Sequence, residues 1–279
     1  MRYRLLALDV DGTLLDPHGV LRPTVQQAVI AAQQHGVEVV LCTGRRFRTA
    51  RPLAQALQLT GTIVVHNGAL VKEIASGETM QQCCFSLSAL QYALPMLQQI
   101  SSPLVYIDAF HQDVDILTEA LERAHPFQRE YLEDHLAHCR IVDDITTAPV
   151  REAVMIAIMA DVHSLQALRP AIERVLGLQA RVHIVTNKNY RGHILEILHP
   201  TASKWRALAQ LAAQRGITLE EILAVGDDYN DLDMIRYAGL GIAMGNAVEA
   251  LRDVADYVTG SNADDGLVQA LERFVFRAS

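Results

Sequence analysis

The sequence predicts an α/β fold, in which a doubly wound, mainly parallel, Rossmann-like sheet domain carries a second, inserted α+β domain. Short apolar runs alternate with amphipathic helices in the first and last thirds of the chain, as in a parallel sheet covered by helices. In the middle third, the predicted strands lack the acid and glycine residues that end strands elsewhere. These observations assign residues 1–82 and 193–279 to the sheet domain and residues 83–192 to the inserted domain.

The first predicted strand is the apolar run 5–8, which ends in the acids Asp9 and Asp11. A run of this length and composition is typical of a strand that is buried on both faces. Acids at its end are costly unless they pair, bind a metal or take part in chemistry. Gly12 allows a sharp turn directly after them. By itself, this motif is equally compatible with an ordinary Asp-Gly turn.

The elements that follow continue the alternating pattern. A helix begins at Pro23 and is closed by Gly36. Further helices and strands complete the pattern, and their predicted positions are: strand 37–42, a helix to about residue 57, strand 62–65, a helix from residue 204 to about residue 216, strand 222–225, helix 232–237, strand 239–243, and helices 246–254 and 266–276. The turn at Asn67 predicts a hairpin, with the alternative that its side chain faces a ligand.

The inserted segment is predicted with less detail. Strands are expected at 104–108 and 154–159, and amphipathic helices at 88–100 and 164–176. The stretch 126–149, rich in histidine and acids, has no assignment. The sheet pattern resumes near Ile194, which sets the predicted return to the first domain.

Polar residues follow several of these elements where the chain would reach the edge of the sheet: Asp9, Asp11, Thr43, Lys204, Asp227, Asp228 and Asp231. Ligands of such sheets bind beyond the carboxyl ends of the strands. So many carboxylates repel each other unless a cation lies among them, and oxygen ligands favour Mg²⁺ before Ca²⁺. A lysine and a hydroxyl suit the oxygens of a phosphate. One carboxylate can attack phosphorus to give an aspartyl-phosphate, and a second can transfer the protons.

The motifs resemble those of the haloacid dehalogenase superfamily. The segments that carry the resemblance are, in chain order, Asp9-Val10-Asp11-Gly12-Thr13, Thr43-Gly44-Arg45, Lys204 and Gly226-Asp227-Asp228-Tyr229-Asn230-Asp231. The later segments Ala243-Met244-Gly245-Asn246-Ala247 and Asp264-Asp265-Gly266 are similar to the Cof-type branch of sugar-phosphate phosphatases. The resemblance covers roughly the first and last thirds of the chain. It implies the superfamily's sheet domain and a cap that sets substrate specificity.

The resemblance also implies roles in catalysis. Asp9 would be the nucleophile, and Asp11 the general acid and base. Thr43 would hold the phosphoryl group, and Lys204 would neutralise its charge. Lys204 is the only lysine after Lys188, so no other residue competes for this assignment.

Implied binding residues form two groups. The metal ligands of an Mg²⁺ ion would be Asp9, Asp11, Asp227 and Asp228, with Asp228 bound either directly or through water. The residues that contact the substrate or its phosphate would be Val10, Gly44, Arg45 and Asn230. For Val10, either the carbonyl binds the metal or the amide binds phosphate. Asp231 would orient Lys204 or the metal ligands. Asp228 departs from the branch, which often has asparagine or serine there, but it keeps an oxygen ligand.

The expected function is hydrolysis of small phosphorylated metabolites, such as sugar phosphates, FMN or pyridoxal phosphate. A phosphomutase or phosphotransferase would use the same motifs, and a phosphate-sensing module or a non-catalytic scaffold would share the fold. Asp11 argues against a sensor, because a general acid and base speeds loss of the phosphate. In the cap segment, Lys188, Tyr190 and Arg191 could touch the substrate, although a surface role is the simpler interpretation.

Composition limits the class of partner. The chain has 279 residues with 50% hydrophobic and 20% charged residues, as in a folded domain, and its formal net charge is −8. This acidity argues against a nucleic-acid binder, which needs a basic face. Four cysteines without metal-ligand spacing suit reduced thiols. With neither a signal peptide nor a membrane-spanning run expected, we predict a cytoplasmic protein, either a monomer or a homodimer.

Overall fold

The structure is a computed structural model that describes residues 2–150, 152–186 and 190–276. The strands are, in chain order, β1 Leu5–Leu8, β2 Glu38–Leu41, β3 Thr62–Val65, β4 Leu70–Glu73, β5 Thr79–Gln82, β6 Leu104–Ala109, β7 Val114–Thr118, β8 Cys139–Ile141, β9 Ala153–Ala160, β10 Arg181–Thr186, β11 His193–Leu198, β12 Ile222–Gly226, β13 Leu240–Ala243 and β14 Tyr257–Val258. The α-helices are α1 Pro23–Gln34, α2 Phe47–Ala56, α3 Leu87–Leu97, α4 Pro126–His135, α5 Val162–Leu176, α6 Lys204–Gln214, α7 Leu232–Tyr237, α8 Glu249–Arg252 and α9 Gly266–Leu271.

The chain forms two compact units. The first unit comprises Met1–Gln81 and Ala202–Ser279, and the second comprises Gln82–Thr201. The described helices include none with the length and apolar character needed to cross a membrane.

The first unit is built on a five-stranded parallel sheet in the order β14-β13-β12-β1-β2. The strand β1, which lies between β12 and β2, is buried along its whole length, and its register places Leu8 between Val225 and Leu41. The carboxyl ends of β1, β2 and β12 therefore lie at one edge of the sheet. The predicted α/β class with a mainly parallel sheet is confirmed.

Beyond β2, the third predicted strand does not simply extend the sheet. β3 touches the end of β2 through one parallel bridge, Cys42 with Val64, and then pairs antiparallel with β4 in a small three-stranded sheet with β5. The hairpin predicted at Asn67 is confirmed, since this residue has a positive φ in the turn that joins β3 to β4.

The second unit contains a six-stranded sheet in the order β10-β11-β9-β6-β7-β8, in which only the pair β7 and β8 is parallel among the described pairs. Buried apolar side chains of α3 and α5 share one core cluster with the sheet. The helix α4 packs against β9. The predicted strands and helices at 88–108 and 154–176 correspond to α3, β6, β9 and α5.

One strand was assigned to the wrong sheet. The sequence pattern predicts that the chain returns to the first unit at residue 193, whereas β11, the strand 193–198, lies between β10 and β9 in the second unit. The run Ile194–Leu198 is rich in apolar residues like a strand of either sheet, so composition alone does not distinguish them. The structure returns to the first unit at Ala202.

Two further regions of the structure differ from what the sequence predicts. The unassigned stretch 126–149 contains α4 and β8. Many residues of α4 are polar and β8 has only three residues, so neither element shows a clear apolar period. The helix predicted for 246–254 is limited to α8, because the loop before it is fixed by tertiary contacts, including the bond from the Val248 amide to the Asp227 carbonyl at 2.9 Å.

Candidate active site

The end of β1 places Asp9 against a buried lysine. Lys204 is the first residue of α6, and its side chain is only 1% exposed. Its Nζ donates to Asp9 Oδ1 at 2.6 Å and to Asp231 Oδ1 at 2.8 Å. Burial would lower the pKa of Lys204, but the charges of Asp231 and Asp9 raise that pKa above its ordinary value. The ammonium group therefore stays protonated between two carboxylates.

Asp231 supports the site from two sides. While its Oδ1 binds Lys204, its Oδ2 accepts from the amides of Asp227 at 3.1 Å and Asp228 at 3.2 Å. Burial raises the pKa of Asp231 above its usual range, and Lys204 acts in the opposite direction. Asp231 is predicted to orient Lys204 or the metal ligands. It contacts Lys204 through one oxygen and the backbone of two predicted ligands, Asp227 and Asp228, through the other.

Three carboxylates lie together at this edge. Asp9, Asp227 and Asp231 are all buried, and each offers an oxygen within 4.8 Å of the others. Lys204 bridges two of them, Asp9 and Asp231. Three carboxylates and one ammonium leave an excess of buried negative charge, which is unfavourable without a further cation. A hard divalent ion such as Mg²⁺ fits this oxygen-only donor set.

Among the described residues, two predicted metal ligands, Asp11 and Asp228, are not part of this carboxylate cluster. The Asp11 carboxylate forms a bidentate ion pair with Arg45, with distances of 2.7 Å to Nε and 2.6 Å to Nη2. Asp228 Oδ1 accepts from the Tyr229 amide at 2.7 Å and caps the short helical turn that follows. Both carboxylates are therefore engaged elsewhere.

The Arg45 guanidinium contacts Asp11, the predicted general acid and base. Burial lowers the pKa of Arg45, but its bonds to Asp11 outweigh burial and raise the pKa. A bidentate pair fixes the plane of the carboxylate. Arg45, predicted to contact the substrate phosphate, thus orients Asp11 in this structure.

Thr43 and Gly44 occupy the turn after β2. Thr43 is buried, its amide donates to the Val64 carbonyl at 2.9 Å, and its Oγ1 accepts from the Arg45 amide at 3.1 Å. A Cβ on Gly44 would lie 3.1 Å from Asn67 Oδ1, so this turn packs closely on the hairpin. The hydroxyl hydrogen of Thr43 remains available for an acceptor.

The hairpin residue Asn67 also reaches the last motif. Asn230 Nδ2 donates to Asn67 Oδ1 at 2.9 Å. Asn230, expected to contact phosphate, is thereby tied to the turn that holds Thr43, since the Asn67 amide donates to the Thr43 carbonyl at 3.0 Å. The sequence predicts a turn at Asn67, with a ligand-facing side chain as the alternative. The structure shows a turn residue that also links two site motifs.

The backbone around Val10 argues against one predicted role. The Val10 carbonyl accepts from the amides of Leu14 and Leu15, both at 3.0 Å. A carbonyl has two lone pairs, so these bonds compete with metal binding. The prediction that this carbonyl is a metal ligand is therefore not supported, and the alternative of an amide contact with phosphate remains.

Candidate contacts in the second unit are engaged with α4. Tyr190 donates its hydroxyl to Asp134 Oδ2 at 2.8 Å, and Arg191 pairs with Glu130. These contacts favour the surface role for both residues. Lys188 lies outside the described residues. All four cysteines are free thiols.

Comparison with known proteins assigns the chain to a family. The sequence model of the haloacid dehalogenase-like hydrolases matches residues 6–271. The chain belongs to this family. The family assignment made from the motifs is therefore confirmed, and so is the prediction of a hydrolase.

Relatives in the family cover nearly the whole chain. The 5-amino-6-(5-phospho-D-ribitylamino)uracil phosphatase YitU of Bacillus subtilis (strain 168) is 26% identical over 275 residues, which are 97% of each chain. The pyridoxal phosphate phosphatase YbhA of Escherichia coli (strain K12) is 27% identical over 273 residues, which are 96% of this chain and 97% of YbhA. Both relatives are phosphatases, in agreement with the predicted class of phosphoric monoester hydrolase.

A solved structure supports the fold assignment. The crystal structure of a haloacid dehalogenase-like hydrolase from Bacteroides thetaiotaomicron matches with a TM-score of 0.83 and 29% identity, over 97% of this chain and 99% of that chain. The predicted family fold is confirmed by this agreement.

Proposed function

We propose that this family member is a Mg²⁺-dependent phosphatase of small phosphorylated metabolites that works through an aspartyl-phosphate on Asp9. The observation that carries the proposal is the carboxylate of Asp9, held 2.6 Å from Lys204 beside Asp227 and Asp231. A fixed carboxylate next to a buried cation suits attack on a phosphoryl group, whose charge the lysine offsets.

Mg²⁺ would be held by Asp9 and Asp227, with Asp231 beside them, and when bound it supplies charge neutralisation of the phosphoryl oxygens. An oxygen of Asp9 attacks phosphorus, and the bond from phosphorus to the leaving oxygen breaks. Asp11 gives that oxygen a proton and later takes one from the water that attacks the aspartyl-phosphate. Phosphate leaves and Asp9 is restored. Thr43 donates its hydroxyl to a phosphoryl oxygen.

The proton transfer requires Asp11 to exchange partners. In this structure Asp11 is an acceptor for Arg45. Donation to the leaving oxygen needs a protonated carboxyl that faces the substrate, so the bidentate pair must open during each turnover. When the pair opens, Arg45 becomes available to the phosphoryl group. Arg45 can therefore bind Asp11 in this structure and the substrate phosphate during turnover.

The substrate is proposed by class. The relatives named above include phosphatases of a ribityl phosphate and of pyridoxal phosphate. Sugar phosphates, FMN and pyridoxal phosphate present the same phosphoryl group to this edge of the sheet. We propose that the second unit selects among such substrates, and that the enzyme acts in the cytoplasm.

Phosphate release from a panel of hexose phosphates, FMN and pyridoxal phosphate tests this proposal. We expect release from at least one compound with Mg²⁺, loss of release in EDTA, and recovery on adding Mg²⁺ back. Ca²⁺ is the control ion, because its larger radius and looser geometry should support turnover poorly. Release that EDTA does not affect would contradict the metal requirement, and a product that keeps its phosphate would indicate a mutase.

A further inference from the structure

The turn after the first motif is set against a metal-ligand candidate. Gly12 has φ +95°, and a Cβ on it would overlap the Asp227 carboxylate. The next residue, Thr13, is buried and donates to Asp227 Oδ1 at 3.3 Å. The position of this turn therefore influences where Asp227 lies relative to Asp9. It also influences the position of Asp11, which directly precedes Gly12.

Asn246 holds the same turn through its backbone. Asn246 Nδ2 donates to the Gly12 carbonyl at 2.9 Å. The loop that carries Asn246 is itself attached to the end of β12, because the Met244 amide donates to the Gly226 carbonyl at 3.0 Å and the Val248 amide donates to the Asp227 carbonyl. One loop therefore fixes both the turn and the backbone of Asp227.

Asn262 completes the connection. Its backbone amide donates to Asn246 Oδ1 at 2.9 Å, which orients the Asn246 amide group with Nδ2 toward Gly12. The buried side chain of Asn262 donates to the Leu15 carbonyl at 2.8 Å. The two asparagines thus hold both ends of the segment 12–15, and we name them the asparagine brace.

We propose that the asparagine brace, Asn246 and Asn262, positions the Asp9–Asp11 turn for catalysis. Both residues act on backbone carbonyls of the turn, so they are positioning residues and not catalytic ones. A turn that shifts moves Asp11 relative to Asp9 and Asp227, and misplacement of reacting groups lowers the rate of the chemical step. This inference rests on the proposed phosphatase function.

The test compares Asn246→Ala and Asn262→Ala with Thr24→Val. Thr24 donates to Asp265 Oδ1 at 2.9 Å, so Thr24→Val also loosens the loop that contains Asn262 but leaves the carbonyls of Gly12 and Leu15 bonded. We expect each brace variant to lower kcat about tenfold, as removal of an outer supporting group commonly does, with little change in KM. Thr24→Val should keep the wild-type kcat.

The measurement is steady-state phosphate release at saturating Mg²⁺, with kcat normalised to the folded fraction from circular dichroism. Wild-type kcat in both brace variants, an equal loss in Thr24→Val, or a raised KM at constant kcat would overturn the inference while leaving the phosphatase function intact. A wild-type enzyme that hydrolyses no phosphorylated metabolite would overturn the function and this inference together.

Discussion

Asp9→Asn is expected to lower kcat by roughly 10⁴-fold or more, as loss of a covalent nucleophile commonly does. The neutral amide is a poor nucleophile toward phosphorus, so the step that forms the aspartyl-phosphate fails. The fold should persist, because the amide oxygen still accepts from Lys204 and because Asp231 keeps the lysine paired at 2.8 Å.

The matched control for this variant is Asp233→Asn. Asp233 is an exposed carboxylate in α7, two residues beyond Asp231 and outside the buried cluster. Phosphate release and the thermal midpoint are measured for both variants. Asp233→Asn should keep wild-type turnover. Ordinary turnover in Asp9→Asn would remove the nucleophile from the proposed mechanism.

Lys204→Met is expected to impair both stability and turnover. Removing the lysine leaves Asp9 and Asp231 buried beside each other without their shared cation, and such a break costs about 3 kcal/mol or more in the free energy of unfolding. The methionine also cannot offset the charge of the phosphoryl group. Loss of one such stabilising group lowers kcat by roughly 10²-fold or more.

Lys72→Met separates the two effects of losing a buried lysine. Lys72 is 2% exposed in β4, and its Nζ donates to Thr79 Oγ1 at 2.7 Å. Urea unfolding without Mg²⁺ gives the stability of each variant, and steady-state assays with Mg²⁺ give kcat. Lys72→Met should lose stability but keep its turnover. Wild-type kcat in Lys204→Met would contradict the assigned role of Lys204.

The raised pKa of Lys204 determines how its contribution to the stability of the protein changes with pH. Because its pKa in the folded protein is raised above the ordinary lysine value, its contribution to stability is present in full below that ordinary value. The contribution is lost as pH rises through the raised pKa. The Lys204 ammonium therefore stays charged throughout the neutral range.

The sequence predicts the sheet edge well for a physical reason. β1 and β12 are buried on both faces and read as unbroken apolar runs, so the polar residues at their ends stand out. The parallel order then brings those ends together. The strand pattern predicts that Asp9 and Asp227 lie together, and the family resemblance adds Lys204 to them. In the structure, Asp9 is bonded to Lys204 and is close to Asp227.

Other features depend on tertiary contacts that a residue pattern does not encode. Arg45 binds Asp11 because two turns meet, and Asn246 reaches Gly12 across 234 positions of the chain. β11 resembles a strand of either sheet, and only its antiparallel partners assign it to the second unit. Local sequence propensity predicts helices and strands, but the bonding partner of each polar group depends on the assembled fold.

The most direct test of the central claim is to identify the residue that carries the phosphoryl group. The enzyme is mixed with a substrate from the panel and Mg²⁺, quenched with acid in the first turnover, and reduced with borohydride, which converts an aspartyl-phosphate to homoserine. Mass spectrometry of the peptides should then find homoserine at residue 9 and unmodified Asp11, Asp227 and Asp231. Turnover without modification of Asp9, or with modification at another aspartate, would contradict the proposed mechanism.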